Sequence, residues 1–324
     1  MEDHPAAGEC TMGLIPTICR MLILLHKKVG FEGPLLTLGN QDVWADYEQL
    51  KSFFGGLECP YAEAPVIPHT SRLFAQQRET RNFVHARTFF EMMGIKEYSD
   101  IDKFEDDAPC ILHDLNTPVP SEFESRFNLI IDGGTLEHIF DVRQVMENIV
   151  RMCSESGWVV HLTPSSNYVD HGFYSFSPCF FYDFYQANGF GEFFCYILQV
   201  NPENLCEPSP YFEYSYGMDM RGLLDPDRQI LVFFAAKKVR ASDQLVIPTQ
   251  GIYESSSKIL PGQSPVAVAD AGTAQGNDSI TERLVPAFLL PLLKPVRPFL
   301  WAARRKVTGR GREAVTSYRQ LRRI

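Results

Sequence analysis

Residues 127–138, FNLIIDGGTLEH, hold the side chains best suited to chemistry in this chain. Asp132 and Glu137 supply carboxylates, His138 an imidazole, and Gly133 and Gly134 a turn with little side-chain bulk. Ahead of them, Phe127, Leu129, Ile130 and Ile131 form the near-continuous apolar run of a strand covered on both faces in a parallel sheet. Open α/β sheets bind ligands just outside the carboxyl ends of their strands, which is where this polar group falls. Plainer readings stand beside that one. Asp132 can cap the turn that follows it, and the glycine pair can simply make a tight turn. Glu137 suits a helix first turn, and His138 can be structural.

The chain around this segment has 324 residues, 45% of them hydrophobic and 22% charged, which suits one large soluble domain with appendages. Its net charge of −10 is unevenly spread: 11 of the 30 Lys/Arg lie from Arg283 onward, beside the single acid Glu313. The acidic remainder excludes nucleic-acid binding by the folded part, because phosphates require the opposite sign. Eight scattered cysteines show no Cys-x-x-Cys and no metal spacing, so no metal is expected and a reducing, cytoplasmic setting is. The acidic N-terminus predicts no secretory leader, and the apolar stretch 14–25, interrupted by Arg20, predicts a helix lying on the core.

The periodicity predicts four segments: an N-terminal helical part (1–33), a catalytic-type domain (34–240), a flexible linker rich in small and polar residues (241–281), and a basic, proline-interrupted apolar tail (282–324). Within the domain, strands are expected at 34–38, 97–101, 110–113, 127–131 and 157–162, the last stopped by Pro164. Helices are expected at 42–54, 81–93, 142–152 and 177–188, the last opened by Ser177-Pro178 and closed by Gly189. Residues 193–200 and 229–236 have no helix between them and are expected to pair as an antiparallel edge hairpin. The expected fold is α/β: a doubly wound, mainly parallel seven-stranded sheet with that hairpin. The glycine fingerprint of dinucleotide-binding domains is missing after the first strand.

In this order, CILHDLN (110–116), FNLIIDGGTLEHIFD (127–141), SGWVVHLTPSSN (156–167), HGFYSFSP (171–178) and NGF (188–190) resemble the class I S-adenosylmethionine-dependent methyltransferases. The second half resembles a bacterial group that modifies surface glycans or small molecules. The resemblance implies S-adenosylmethionine as cofactor. It places Gly39, Asn40 and Asp42 of LTLGNQDVWAD (36–46) in the cofactor loop, where Gln41 also stands in place of a further glycine. It makes Asp100 the ribose-binding acid, with Asp102 the next choice, Asp114 and Leu115 the adenine turn, and Asp132 and Gly133 neighbours of the sulfonium.

The implied reaction is methylation, most simply of oxygen in a sugar or small hydroxylated acceptor. Such an acceptor needs a base as its oxygen attacks. His138 and His171 are the candidates, since imidazole titrates near neutrality, and Glu137 can orient either one or bind an acceptor hydroxyl. A methyltransferase-like scaffold without catalysis is the alternative. The basic tail has three readings: peripheral contact with an anionic membrane surface, docking on the acidic body, or no fixed structure. The oligomeric state is left open.

Overall fold

A computed structural model describes residues 13–68, 82–104, 110–220, 222–241 and 244–254. The tail expected at 282–324, residues 242–243 and 255–281 of the linker expected at 241–281, and the first twelve residues lie outside the described residues. No described helix is long and apolar enough to cross a membrane.

Strands β1 (Leu35–Leu38), β4 (Tyr98–Asp102), β5 (Ile111–Leu112), β6 (Phe127–Asp132), β7 (Cys153–Ser166), β8 (Phe190–Val200), β9 (Tyr211–Glu213) and β10 (Gln229–Lys238) form one sheet. Their order is β5-β4-β1-β6-β7-β10-β8-β9. The five from β5 to β7 are parallel, whereas β10 runs antiparallel to both β7 and β8. The expected hairpin therefore exists, and its second strand is inserted between the first and the parallel sheet. Short β9 adds an eighth strand to the seven expected.

Successive strand residues face opposite sides, as the two-residue period requires. On one side Leu35, Leu129, Ile131, Val160 and Phe233 pack with helix α1 (Pro16–Val29). On the other side Leu36, Ile130, Val159 and Phe234 pack with α4 (Val142–Met152) and α5 (Pro178–Ala187). Helix α1 ends at Gly30, whose φ of 69° lets its N–H reach the His26 carbonyl.

Three local expectations are corrected. Residues 42–54 are not one helix: β2 (Asp42–Asp46) comes first and α2 (Tyr47–Gly56) second. Val43 bridges Leu14, and Asp46 with Gln49 closes a reciprocal capping box that fixes where the helix starts. Likewise β3 (Phe83–His85) precedes α3 (Ala86–Met92), whose first turn is capped by the His85 side chain. Strands β2 and β3 pair in a small separate sheet, so the long connection between β1 and β4 has a fold of its own. Finally, β7 runs through Pro164 instead of stopping there. Its parallel neighbour β6 reaches only His161, and the ladder with β10 is irregular at Pro164, so the missing N–H falls where regular pairing has lapsed.

Candidate functional site

The parallel register brings four strand ends level. Leu38 at the end of β1 lies beside Ile101 of β4 and Asp132 of β6, and Asp102 pairs with Leu112 of β5. Beyond these ends opens a cleft of about 480 Å³. Asp102, Lys103, His113, Asp114, Leu115 and Asn116 form one wall, and Gly134, Thr135, His138 and Ile139 form another. Phe104, Phe140 and Phe173 also line it, each more than 60% exposed, and the last two meet edge to face at 5.5 Å. Planar ligands stack on such rings.

The walls are electrostatically set. Lys103 Nζ lies 2.8 Å from Asp114 Oδ2, while the Asn116 backbone and side-chain N–H groups both donate to Asp114 Oδ1. These partners hold the Asp114 carboxyl down at about 2, so it is ionised at neutral pH. Asp102 Oδ1 accepts from the Phe104 amide. Gly39 has φ 73°, and a Cβ there would lie 2.9 Å from Thr135 Oγ1 and 3.6 Å from Asp102 Oδ2. Only glycine suits that backbone and that approach.

The other residues expected to hold a cofactor fall into different places. Asp100 does not line the cleft. It is buried one turn of the pleat inside β4 and accepts the Cys110 amide, so the strand-end acid that faces the cleft is Asp102. Asp132 is also fully buried: Oδ1 accepts the amides of Thr135 and Leu136, and Oδ2 meets His161 Nδ1 at 2.7 Å. Its work is to hold the turn and His161, whose Nε2 lies 2.6 Å from Tyr185 Oη. A carboxylate only accepts, so Nδ1 donates to Asp132 and the Tyr185 hydroxyl donates to Nε2. Burial pushes the Tyr185 hydroxyl well up, which keeps its proton in place.

Gly133 is covered by Gln41. A Cβ on Gly133 would sit 1.9 Å from Gln41 Oε1, and Gln41 Nε2 donates to the Leu38 carbonyl at 2.6 Å. Asn40 presents a buried Oδ1 with no hydrogen-bond partner. Asp42 belongs to β2, and its carbonyl accepts the Leu14 amide.

Glu137, His138 and His171 come together. Glu137 Oε1 lies 3.5 Å from His171 Nε2 and 3.9 Å from His138 Nε2, and the two imidazoles are 5.0 Å apart between ring centres. Glu137 and His138 sit in a 3₁₀ turn (Leu136–His138) after β6. His171 arrives on the loop after β7, which is tied down where the Phe173 amide donates to the Glu137 carbonyl. Gly172 permits that closeness, since a Cβ there would lie 2.9 Å from the same carbonyl oxygen. Burial, then the nearby Asp132, pushes the Glu137 carboxyl well above the usual range. Burial lowers both imidazoles, so they are neutral at neutral pH and able to accept a proton.

Sequence reasoning missed Lys103, Phe104, Phe140, Phe173 and Thr135 as cleft residues. Exposed aromatics beside strand ends were the available signal.

No protein-family model matches the chain, and no curated protein matches it. Solved structures that it resembles include methyltransferases. A Thermotoga maritima protein, described as a possible histamine N-methyltransferase, is 16% identical over 69% of this chain and 91% of its own, with a TM-score of 0.33. The 1,6-didemethyltoxoflavin-N1-methyltransferase of Burkholderia thailandensis, solved with S-adenosylhomocysteine, is 11% identical over 69% of this chain and 78% of its own, with a TM-score of 0.35. The carbon methyltransferase CurJ is 13% identical over 70% of this chain and 55% of its own, also at 0.35. In the sheet of this chain β10 is inserted antiparallel between β7 and β8.

Proposed function

We propose that the chain is an S-adenosylmethionine-dependent methyltransferase acting on an oxygen of a sugar or other small hydroxylated acceptor. The observation that carries this reading is the convergence of Gly39, Asp102 and Asp114 around one cleft at the strand ends of a methyltransferase-type sheet. These residues suit an adenosyl ligand. Asp102 can accept from ribose hydroxyls, and the turn at Asp114–Asn116 can read an adenine edge beside exposed phenylalanine faces. The orphaned Asn40 Oδ1 can accept from an ammonium group. When bound, the cofactor supplies an electrophilic methyl group on sulfur.

The chain's own residues then orient and deprotonate. His138 lines the cleft and is held neutral, so its imidazole can take the proton from an acceptor hydroxyl, with His171 and Glu137 beside the ring. The reducing cytoplasmic setting of this reading is supported by the scattered spacing of the cysteines, with no Cys-x-x-Cys. A surface-glycan substrate is supported by the sequence resemblance and by the aromatic rim.

One observation favours a second reading, a scaffold that binds without catalysis: Gln41 lies on Gly133, in space that a cofactor's amino-acid portion would share. Methyl transfer from methyl-labelled S-adenosylmethionine to a panel of monosaccharides, oligosaccharides and phenols separates the two. Labelled product lost in His138→Ala supports catalysis. No product from any acceptor, with cofactor binding intact, supports the scaffold.

A further inference from the structure

We infer that Glu137, His138 and His171 form a binding site for a divalent first-row transition-metal ion. Their donor atoms all lie within 4.8 Å of one another. The set is two imidazole nitrogens and one carboxylate, which suits ions such as manganese, iron, cobalt or zinc and leaves coordination positions open. A cation about 2.1 Å from each donor needs donors roughly 3.0–3.4 Å apart. The Glu137–His171 contact of 3.5 Å is close to that, and the Glu137–His138 contact of 3.9 Å, on the side of the half-exposed His138 ring, is somewhat longer.

A second observation points independently to a missing ligand. Glu137 is fully buried, yet neither carboxylate oxygen has a hydrogen-bond partner, and His171 Nε2 has none either. Buried polar groups are satisfied in nearly all proteins, and a buried carboxylate without partners is costly. The two imidazoles are the only His, Lys or Arg groups within 4.0 Å of Glu137 among the described residues. Asp132, also fully buried, adds a second carboxylate nearby. A cation here would satisfy three orphaned atoms at once and offset the repulsion between two buried acids. Because His138 also lines the cleft, the open positions of the ion would face it. Binding of the ion does not depend on the methyl-transfer reading, and a His138 nitrogen that holds the ion does not also serve as the base.

The test is titration of the full chain, stripped with a chelator and desalted, with cobalt(II) alone and then with manganese(II), followed by calorimetry and the visible spectrum. The expected result is one ion per chain with nitrogen–oxygen d–d bands and no sulfur-to-cobalt charge transfer. Glu137→Gln and His171→Asn should each weaken binding by about tenfold or more. His171→Asn changes a residue of the loop after β7 and serves if Glu137→Gln misfolds, with far-ultraviolet circular dichroism as the folding control. No stoichiometric binding to the folded chain, a sulfur charge-transfer band, or undiminished binding by folded His171→Asn would overturn the inference.

Discussion

Asp102→Ala should weaken S-adenosylhomocysteine binding by roughly 10- to 100-fold, whereas Asp100→Ala should leave it within a few-fold of the parent. Hydrogen bonds to a charged group contribute about 1.5–3 kcal/mol, and each 1.4 kcal/mol is about tenfold in affinity. Asp102 stands at the end of β4 with its carboxylate on the cleft, where two ribose hydroxyls can donate to it. Asp100 is buried behind it and engages the Cys110 amide. Its replacement should therefore cost stability, about 1.5–3 kcal/mol from the lost hydrogen bond to its carboxylate, with a further cost from the small void. Calorimetry reads the first effect and urea unfolding the second. Equal loss of affinity in both variants would remove the distinction between a ligand acid and a structural one.

The second large effect concerns the buried chain Asp132–His161–Tyr185. All three are fully buried and linked by contacts of 2.7 and 2.6 Å. His161→Leu keeps the volume but leaves the Asp132 carboxylate facing an alkyl group. Leaving a buried carboxylate without its hydrogen-bond donor costs more than the roughly 1–3 kcal/mol of a neutral group, and the Asp132 carboxylate also anchors the Thr135 and Leu136 amides. Tyr185→Phe removes only the last link and should cost about 1–3 kcal/mol. Urea unfolding midpoints at constant slope give both values. A His161→Leu protein as stable as its parent would show that Asp132 does not need the imidazole.

Much of this architecture was legible in the residues themselves. The apolar runs at 35–38, 127–131 and 158–162 are strands because both faces are covered, and that leaves no polar alternation to misread. Ser177-Pro178 and Gly189 bound α5 as their backbone preferences dictate, although the Ser177 hydroxyl makes no cap bond. The site was harder to read for two physical reasons. Asp100 and Asp102 share one face of β4, so only the point where the strand stops decides which reaches the cleft, and periodicity does not fix a strand end to one residue. Strand β2 went unseen because its pairing partners, near Leu14 and His85, are remote in sequence while its apolar spacing continues into α2. The joining of Glu137 to His171 depends on two loops packing backbone to backbone at Gly172. No local pattern encodes such a contact, so a chain with no metal-ligand spacing still assembles a ligand-like triad.

Gln41 is the residue on which the site turns. Its amide bridges the end of β1 and covers Gly133, so ligand entry on that side requires its side chain to rotate away from the Leu38 carbonyl. The part of the cleft between Asp102 and Asp114, proposed for adenosine, is open without any such movement. Calorimetric titration of S-adenosylhomocysteine into the purified full-length chain therefore tests the central claim most directly. One molecule should bind per chain, saturably, and more weakly in Asp102→Ala. Absence of binding heat, together with an unfolding temperature unmoved by saturating ligand, would contradict it.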